Sequence, residues 1–163
     1  MDKIIILDYG SQYTQLIARR IREQHVYSEI VPFNITAARV REYAPKGIIL
    51  SGGPNSVFEE GAPDIDRGIF ELGIPVLGVC YGMQLMSQEL GGKVQPGEKR
   101  EYGKTEMTVE PGNELFKGLP DKFVVWMSHG DRVSAIPDGF KVSASSANCP
   151  YAAIRHEGKR FYG

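Results

Sequence analysis

Residues 75–92, PVLGVCYGMQLMSQELGG, decide how this chain is read. Pro75 to Val79 is a short apolar run, the pattern of a strand covered on both faces. Gln84 to Leu90 reads as a helix, ended by Gly91-Gly92. Between them, Gly78-Val79-Cys80-Tyr81-Gly82 has the G-x-nucleophile-x-G form of a nucleophile elbow, with cysteine in the serine position. A sharp strand-to-helix turn strains the backbone of the nucleophile, and flanking side chains would clash there, so glycines suit both flanks. The helix N-terminus that follows favours thiolate at Cys80 and presents amide donors, the first being the N–H of Tyr81. The plainer alternative for Cys80 is a buried structural cysteine on a strand.

Upstream, strand and helix patterns alternate. Lys3 to Asp8 (KIIILD) is β-branched and almost wholly apolar, again a doubly covered strand. Tyr13, Leu16, Ile17 and Ile21 fall at helical spacing among Arg19, Arg20, Arg22 and Glu23, and Ser11 is the candidate cap. Val26 to Val31 reads as a strand, Ala37 to Tyr43 as a helix, Gly47 to Leu50 as a strand and Asp64 to Leu72 as a helix. Four β-α units therefore fill the first 92 residues. That order predicts right-handed crossovers and a mostly parallel sheet flanked by helices, an α/β fold. Function in such sheets gathers at the carboxyl ends of the strands. Three of those ends are unusual: Asp8-Tyr9-Gly10-Ser11, Ser51-Gly52-Gly53-Pro54 and the elbow.

Downstream the rhythm changes. Thr105 to Val109, Phe123 to Met127, Lys141 to Ala144, Ala152 to Arg155 and Arg160 to Tyr162 are short strand-like runs punctuated by Pro and Gly. They read as antiparallel additions to the same domain, since no linker or repeat separates them. A length of 163 residues is one domain's worth. Nineteen basic against 20 acidic residues argue against a protein built to coat nucleic acid or anionic membrane. No apolar run approaches the roughly 20 residues that span a bilayer. The N-terminus enters a strand directly, without signal-peptide architecture, so a cytoplasmic setting is expected. Two cysteines make no disulfide framework, and zinc-type spacing is absent, so no metal is expected.

A cysteine nucleophile needs a base. The chain offers only His25, His129 and His156. His25 and His156 lie among polar residues and read as solvated. His129 lies in Trp126-Met127-Ser128-His129-Gly130-Asp131 at an expected strand end, but Asp131 is too close in sequence to orient its ring well, which weighs against a Cys80–His129–Asp131 triad. Cys149, between Asn148 and Pro150, has no elbow around it and reads as structural or exposed. The Ser51-Gly52-Gly53-Pro54 loop lacks the G-x-x-x-x-G-K-[ST] phosphate pattern. Its glycines let backbone approach a ligand, which makes it a source of a second oxyanion donor; an ordinary tight turn is the alternative.

With these stretches in view, the sequence resembles the class I (triad-type) glutamine amidotransferase family, whose fold is flavodoxin-like. The blocks that carry the resemblance are Ile6 to Arg20, Ile49 to Pro54, Gly78 to Gln84 and Trp126 to Asp131, and together they span essentially the whole chain. Within the family the first and last blocks are most similar to the glutaminase domain of the GMP synthase branch. The resemblance implies that Cys80 attacks the side-chain amide of glutamine, and that the amides of Gly53 and Tyr81 form the oxyanion hole. It implies further that Gln84 and the backbone of Ser128, His129 and Gly130 hold the amino-acid end of the substrate. In the family the base comes from a His-Pro-Glu motif that follows a stretch like Arg160-Phe161-Tyr162-Gly163, and these 163 residues contain none. The expectation is a single domain over 1–163, incomplete at its C-terminus, without ATP-pyrophosphatase and dimerisation domains. The ammonia would aminate XMP to GMP in a synthetase domain or subunit that uses ATP and Mg²⁺, in a homodimeric parent; the glutaminase domain itself would need no cofactor. Another glutaminase of the family, such as that of anthranilate synthase or carbamoyl phosphate synthetase, is the alternative enzyme. A non-catalytic binding or regulatory module on the same scaffold is the alternative from another class.

Overall fold

The computed structural model describes residues 2–163, apart from the side chains of residues 99 and 100. The first half follows the predicted alternation: β1 (Lys3–Asp8), α1 (Thr14–Glu23), β2 (Tyr27–Pro32), α2 (Ala37–Tyr43), β3 (Gly47–Leu50), a 3₁₀ helix (Arg67–Glu71), β4 (Val76–Gly78) and α3 (Tyr81–Glu89). The second half adds β5 (Lys93–Val109), β6 (Lys122–Ala135), β7 (Phe140–Ser146), β8 (Ala153–His156) and β9 (Phe161–Tyr162). All strands join one sheet in the order β2-β1-β3-β4-β9-β8-β7-β5-β6. The pairs from β2 to β9 are parallel, and those from β9 to β6 antiparallel. The expected α/β architecture with an antiparallel extension is what forms.

The unbroken apolar run of β1 is explained by burial on both faces. Ile5 and Leu7 point to one face, against Val40 of α2, Ile69 and Phe70 of the 3₁₀ helix, and Met86 of α3. Ile6 points to the other, against Ala18, Ile17 and Ile21 of α1. Strand side chains alternate, so only a sheet sandwiched between helices can hide such a run.

Several predicted elements shift. The helix expected over Asp64 to Leu72 is only the short 3₁₀ turn. Asp66 starts it, accepting from the Gly68 N–H (2.9 Å) and from the Ala37 N–H at the start of α2 (2.7 Å). One carboxylate thereby ties two helix starts together, and the two N–H bonds hold it below the usual carboxylate range. Ser11 does not cap α1: the helix begins three residues later, with Tyr13 in the cap position, and Ser11 Oγ accepts from the Tyr13 N–H (3.0 Å) in a local turn. Of the residues expected to bury α1, Tyr13 and Leu16 are exposed, while Thr14 and Ala18 are buried. The short runs 105–109 and 123–127 are the ends of a long antiparallel pair, β5 and β6, whose register slips between Pro96 and Glu101. The run over 160–162, read as an antiparallel addition, lies inside the sheet as β9, parallel to β4 and antiparallel to β8. There Phe161 is buried against Phe70, ring centroids 5.7 Å apart.

Replacing Ile5, which is fully buried, by Ala should lower the unfolding free energy by about 2–5 kcal/mol. Leu119→Ala, at a residue 53% exposed, should change it by about 0.5 kcal/mol or less. Urea denaturation of both variants checks this; equal effects would contradict the assignment of the core.

Candidate active site

Parallel register builds the site. Leu7 pairs with Leu50, and Leu50 with Gly78, so β1, β3 and β4 end side by side. The chain beyond each strand leaves on the same edge of the sheet, bringing Gly10 and Ser11, Gly52 and Gly53, and Cys80 to one cleft of about 750 Å³. Tyr13, and Trp126 and Ser128 of β6, also line it.

Cys80 sits at the junction of β4 and α3 with φ 51° and ψ −113°, a conformation that L-residues rarely adopt. The turn is possible because its flanks carry no side chains. A Cβ on Gly78 would lie 2.6 Å from the Met83 nitrogen, and one on Gly82 would lie 2.2 Å from the Leu50 carbonyl oxygen. Gly82 donates its N–H to the Ser51 carbonyl (3.1 Å), locking the first turn of α3 onto the end of β3. The N–H of Tyr81, at the first position of that helix, has no carbonyl four residues back within the helix and remains a donor beside Cys80.

The Ser51-Gly52-Gly53 loop is braced from beneath. Ser51 is fully buried; its hydroxyl accepts from the Tyr9 N–H (2.9 Å) and donates to the Gly52 carbonyl (2.9 Å). Gly53 lies so close to β1 that a Cβ would fall 2.3 Å from the Tyr9 carbonyl oxygen. A Cβ on Gly52 would fall 3.4 Å from the Cys80 Cβ, so this loop lies directly against the cysteine. Tyr9 and Tyr81 stack at 5.3 Å and reach out to the 54–66 segment, donating to the carbonyls of Asp64 and Pro63. Burial pushes the Tyr81 phenol up to about 12 and that of Tyr9 higher still, so both remain hydroxyl donors.

The remaining candidates lie behind the cleft. Gln84 is buried and its Nε2 donates to the Asp131 carbonyl (3.1 Å). His129 follows Ser128 on β6 and its ring turns away from Cys80. Its Nδ1 lies 2.9 Å from the Asp131 carbonyl and its Nε2 3.0 Å from Glu101 Oε2. Gly130 continues β6 without lining the cleft. The Cys80–His129–Asp131 triad does not form. His156 accepts at Nδ1 from the Gly158 and Lys159 N–H groups (2.9 Å each), and among the described residues no histidine lines the cleft. Sequence reasoning named Ser51 and Asp131 without the roles they take here, and missed Glu101. The Ser-Gly-Gly pattern marked the loop without showing that its serine is the brace. The partnership of Glu101 with His129 depends on the β5–β6 register, which no local pattern reveals.

Cys80 presents its side chain to solvent, yet the wall of the cleft removes enough water to push its thiol above the ordinary value. Desolvation thus opposes the pull of the helix N-terminus expected from sequence. What the arrangement offers is a cysteine sulfur at a helix N-terminus, lying against the Gly52-Gly53 loop.

Comparison with known proteins identifies the family. The profile of the family described as "Glutamine amidotransferase class-I" matches residues 5–163. The protein named "GMP synthase [glutamine-hydrolyzing]" in Lactobacillus acidophilus is 60% identical over 163 residues, which cover 99% of this chain and 32% of that protein. The chain spans about a third of the length of the curated relatives it matches. A crystal structure of a Thermoplasma acidophilum protein, assigned to one of the subunits of GMP synthase, has a TM-score of 0.89 and 33% identity, covering 99% of this chain and 81% of that one. A glutamine amidotransferase from Thermotoga maritima shares the fold, with a TM-score of 0.78 at 18% identity, covering 99% of this chain and 74% of that one.

Cys80 should alkylate with iodoacetamide well before Cys149, which is buried. Because the Cys80 pKa is raised, the reactive thiolate is scarce at neutral pH. The rate should climb about tenfold per pH unit and level off only above the ordinary thiol value of 9.0. Mass-spectrometric kinetics across pH test this, and a plateau below pH 7 would contradict it.

Proposed function

The chain belongs to the class-I glutamine amidotransferase family, and we propose that it is a glutaminase domain that works through a thioester on Cys80. The observation that carries this reading is the strained elbow at Cys80 lying against the Ser51-Gly52-Gly53 loop. The thiolate sulfur attacks the side-chain carboxamide carbon of glutamine. The carbonyl oxygen becomes an oxyanion facing the N–H groups of Gly53 and Tyr81. Collapse of the intermediate breaks the C–N bond, and ammonia leaves with the proton taken from the thiol. Water then attacks the thioester through the same hole, releasing glutamate and restoring the thiol. Thiolate chemistry of this kind needs no metal ion in any of these steps.

Gln84, joined to β6 through the Asp131 carbonyl, positions the strand whose Ser128 borders the cleft, where the amino-acid end of glutamine would rest. The base is a histidine oriented by a glutamate from outside the 163 residues, as the family resemblance implies. None of the histidines here is placed to take the proton of Cys80.

The ammonia serves an ATP- and Mg²⁺-dependent synthetase that aminates XMP to GMP. The name of the Lactobacillus relative, at 60% identity, supports this branch over other glutaminases. The acceptor, as a fused domain or a separate subunit, would dock over the Cys80 cleft, and the whole enzyme would be a homodimer. No helix among the described residues is long and apolar enough to cross a membrane.

In the complete enzyme, Cys80→Ala should abolish glutamine-dependent ammonia release; an unchanged rate would favour a non-catalytic module. The isolated 163-residue chain should turn over at least about 10²–10⁴-fold more slowly than the complete enzyme, the usual share of general-base catalysis. Equal rates would place the base within this chain. Gly53→Ala in the complete enzyme should lower kcat by about 10²–10³-fold while leaving iodoacetamide labelling of Cys80 within a few-fold, because the added Cβ, 2.3 Å from the Tyr9 carbonyl oxygen, pushes the loop amide away from the oxyanion and not from the thiolate. A proportional loss of labelling would assign Gly53 to packing alone.

A further inference from the structure

Behind the cleft, β5, β6 and the turn after β7 converge on a second cluster of side chains. Glu101 and His129 are directly opposite in the β5–β6 ladder, just past the register slip. Cys149 comes from the turn in which its N–H bonds to Ser146. A carboxylate oxygen, a ring nitrogen and the thiol sulfur of the three lie within 4.8 Å of one another. Glu101 and Cys149 are 7% and 6% exposed.

The hydrogen bonds leave this cluster short of a cation. The Asp131 carbonyl can only accept, so His129 Nδ1 carries a proton. In the neutral ring Nε2 is then a lone pair, and it faces a carboxylate oxygen at 3.0 Å. Two acceptors at that distance require a proton or a metal ion between them. The other oxygen of Glu101 is buried and has no hydrogen-bond partner among the described residues. A buried carboxylate in that state is strongly disfavoured unless something charged meets it. The guanidinium of Arg132 lies near enough to act on Cys149 electrostatically, but its ion pair is with Glu98, 3.9 Å away at the surface, and it makes no hydrogen bond to Glu101.

We propose that Glu101, His129 and Cys149 form a binding site for a transition-metal ion of the Zn²⁺ class. The donor set combines thiolate, imidazole and carboxylate, the three types that Zn²⁺ accepts. The Nδ1–H to carbonyl bond is the outer contact that commonly orients a ligating histidine. Ligand atoms around tetrahedral Zn²⁺ lie roughly 3–4 Å apart, so a small inward turn of the cysteine brings the three side chains into range, and a water molecule would take the fourth position. Binding displaces the thiol proton, and the partly exposed His129 edge gives the ion a way in. The ion would pin the irregular β5–β6 ladder to the turn after β7. Through the Asp131 carbonyl it would also hold the strand that reaches Gln84. The signal is invisible in the sequence, because its ligands are 28 and 20 residues apart on three elements.

The test is titration of the metal-free full chain with Zn²⁺, and with Co²⁺ as the spectroscopic probe. The expected result is one equivalent bound, with the near-ultraviolet thiolate-to-cobalt charge-transfer band of a tetrahedral site. Cys80→Ala should keep both. Cys149→Ala should lose the band and weaken Zn²⁺ binding by at least about 100-fold. Should Cys149→Ala not fold, Glu101→Gln, which preserves shape, should weaken binding at least about tenfold in the same titration. Failure of the unsubstituted chain to take up one equivalent, loss of the band in Cys80→Ala, or undiminished binding in whichever of Cys149→Ala and Glu101→Gln folds would each overturn the proposal. The first result would leave His129 and Glu101 as a plain imidazolium–carboxylate pair.

Discussion

The closest constraint in the molecule is the contact between the first turn of α3 and the end of β3. Gly82 lies so near the Leu50 carbonyl that any side chain would drive the helix off the sheet. That approach allows the Gly82 N–H to bond to the Ser51 carbonyl, and it forces the turn before the helix into a left-handed conformation. The residue so strained is Cys80. A non-glycine residue in such a conformation costs on the order of 1–3 kcal/mol, which the packed strands and helix on either side must offset. The consequence of that strain is geometric: the sulfur, the helix N-terminus and the Gly52-Gly53 loop meet at one edge of the sheet.

The same packing sets the electrostatics. Desolvation raises the Cys80 thiol, while the helix N-terminus leaves the Tyr81 N–H as a fixed donor beside it. In the proposed reaction, a nucleophile kept as thiol needs a base to take its proton. His129 cannot serve, because its two ring nitrogens are committed to Asp131 and Glu101. The sequence objection to His129 is its nearness to Asp131. In the structure the decisive reason is the alternation of β6, which sends Ser128 to the cleft and the next side chain away from it.

Much of the first half is legible because its patterns are local. The β-branched run of β1 and the Gly-Ile-Ile-Leu of β3 report burial on both faces, and both strands form over the predicted residues. The elbow is legible because its glycines answer a steric demand that involves only near neighbours in the turn and the strand beside it. The failures are nonlocal. The start of α1 moves from Ser11 because Asp8 holds the loop, accepting from the Gly10 N–H and from the Thr14 hydroxyl. The charged stretch around 97–102 hides the middle of β5, since this part of the strand is paired to β6 alone and needs no apolar alternation to stay paired. Phe161 and Tyr162 read as a peripheral strand, and only the pairing of β4 with β8 through them reveals an interior position. The Glu101–His129–Cys149 cluster depends on three such pairings at once.

The central claim is that Cys80 is the nucleophile and that the amides of Gly53 and Tyr81 receive the oxyanion. The most direct measurement is a crystal structure of the complete enzyme after reaction with an electrophilic glutamine analogue that leaves a carbonyl on the sulfur. The account predicts a covalent bond to the Cys80 sulfur, with the adduct oxygen about 2.7–3.1 Å from both amide nitrogens. An adduct on Cys149, or one on Cys80 whose oxygen points away from Gly53 and Tyr81, would contradict it.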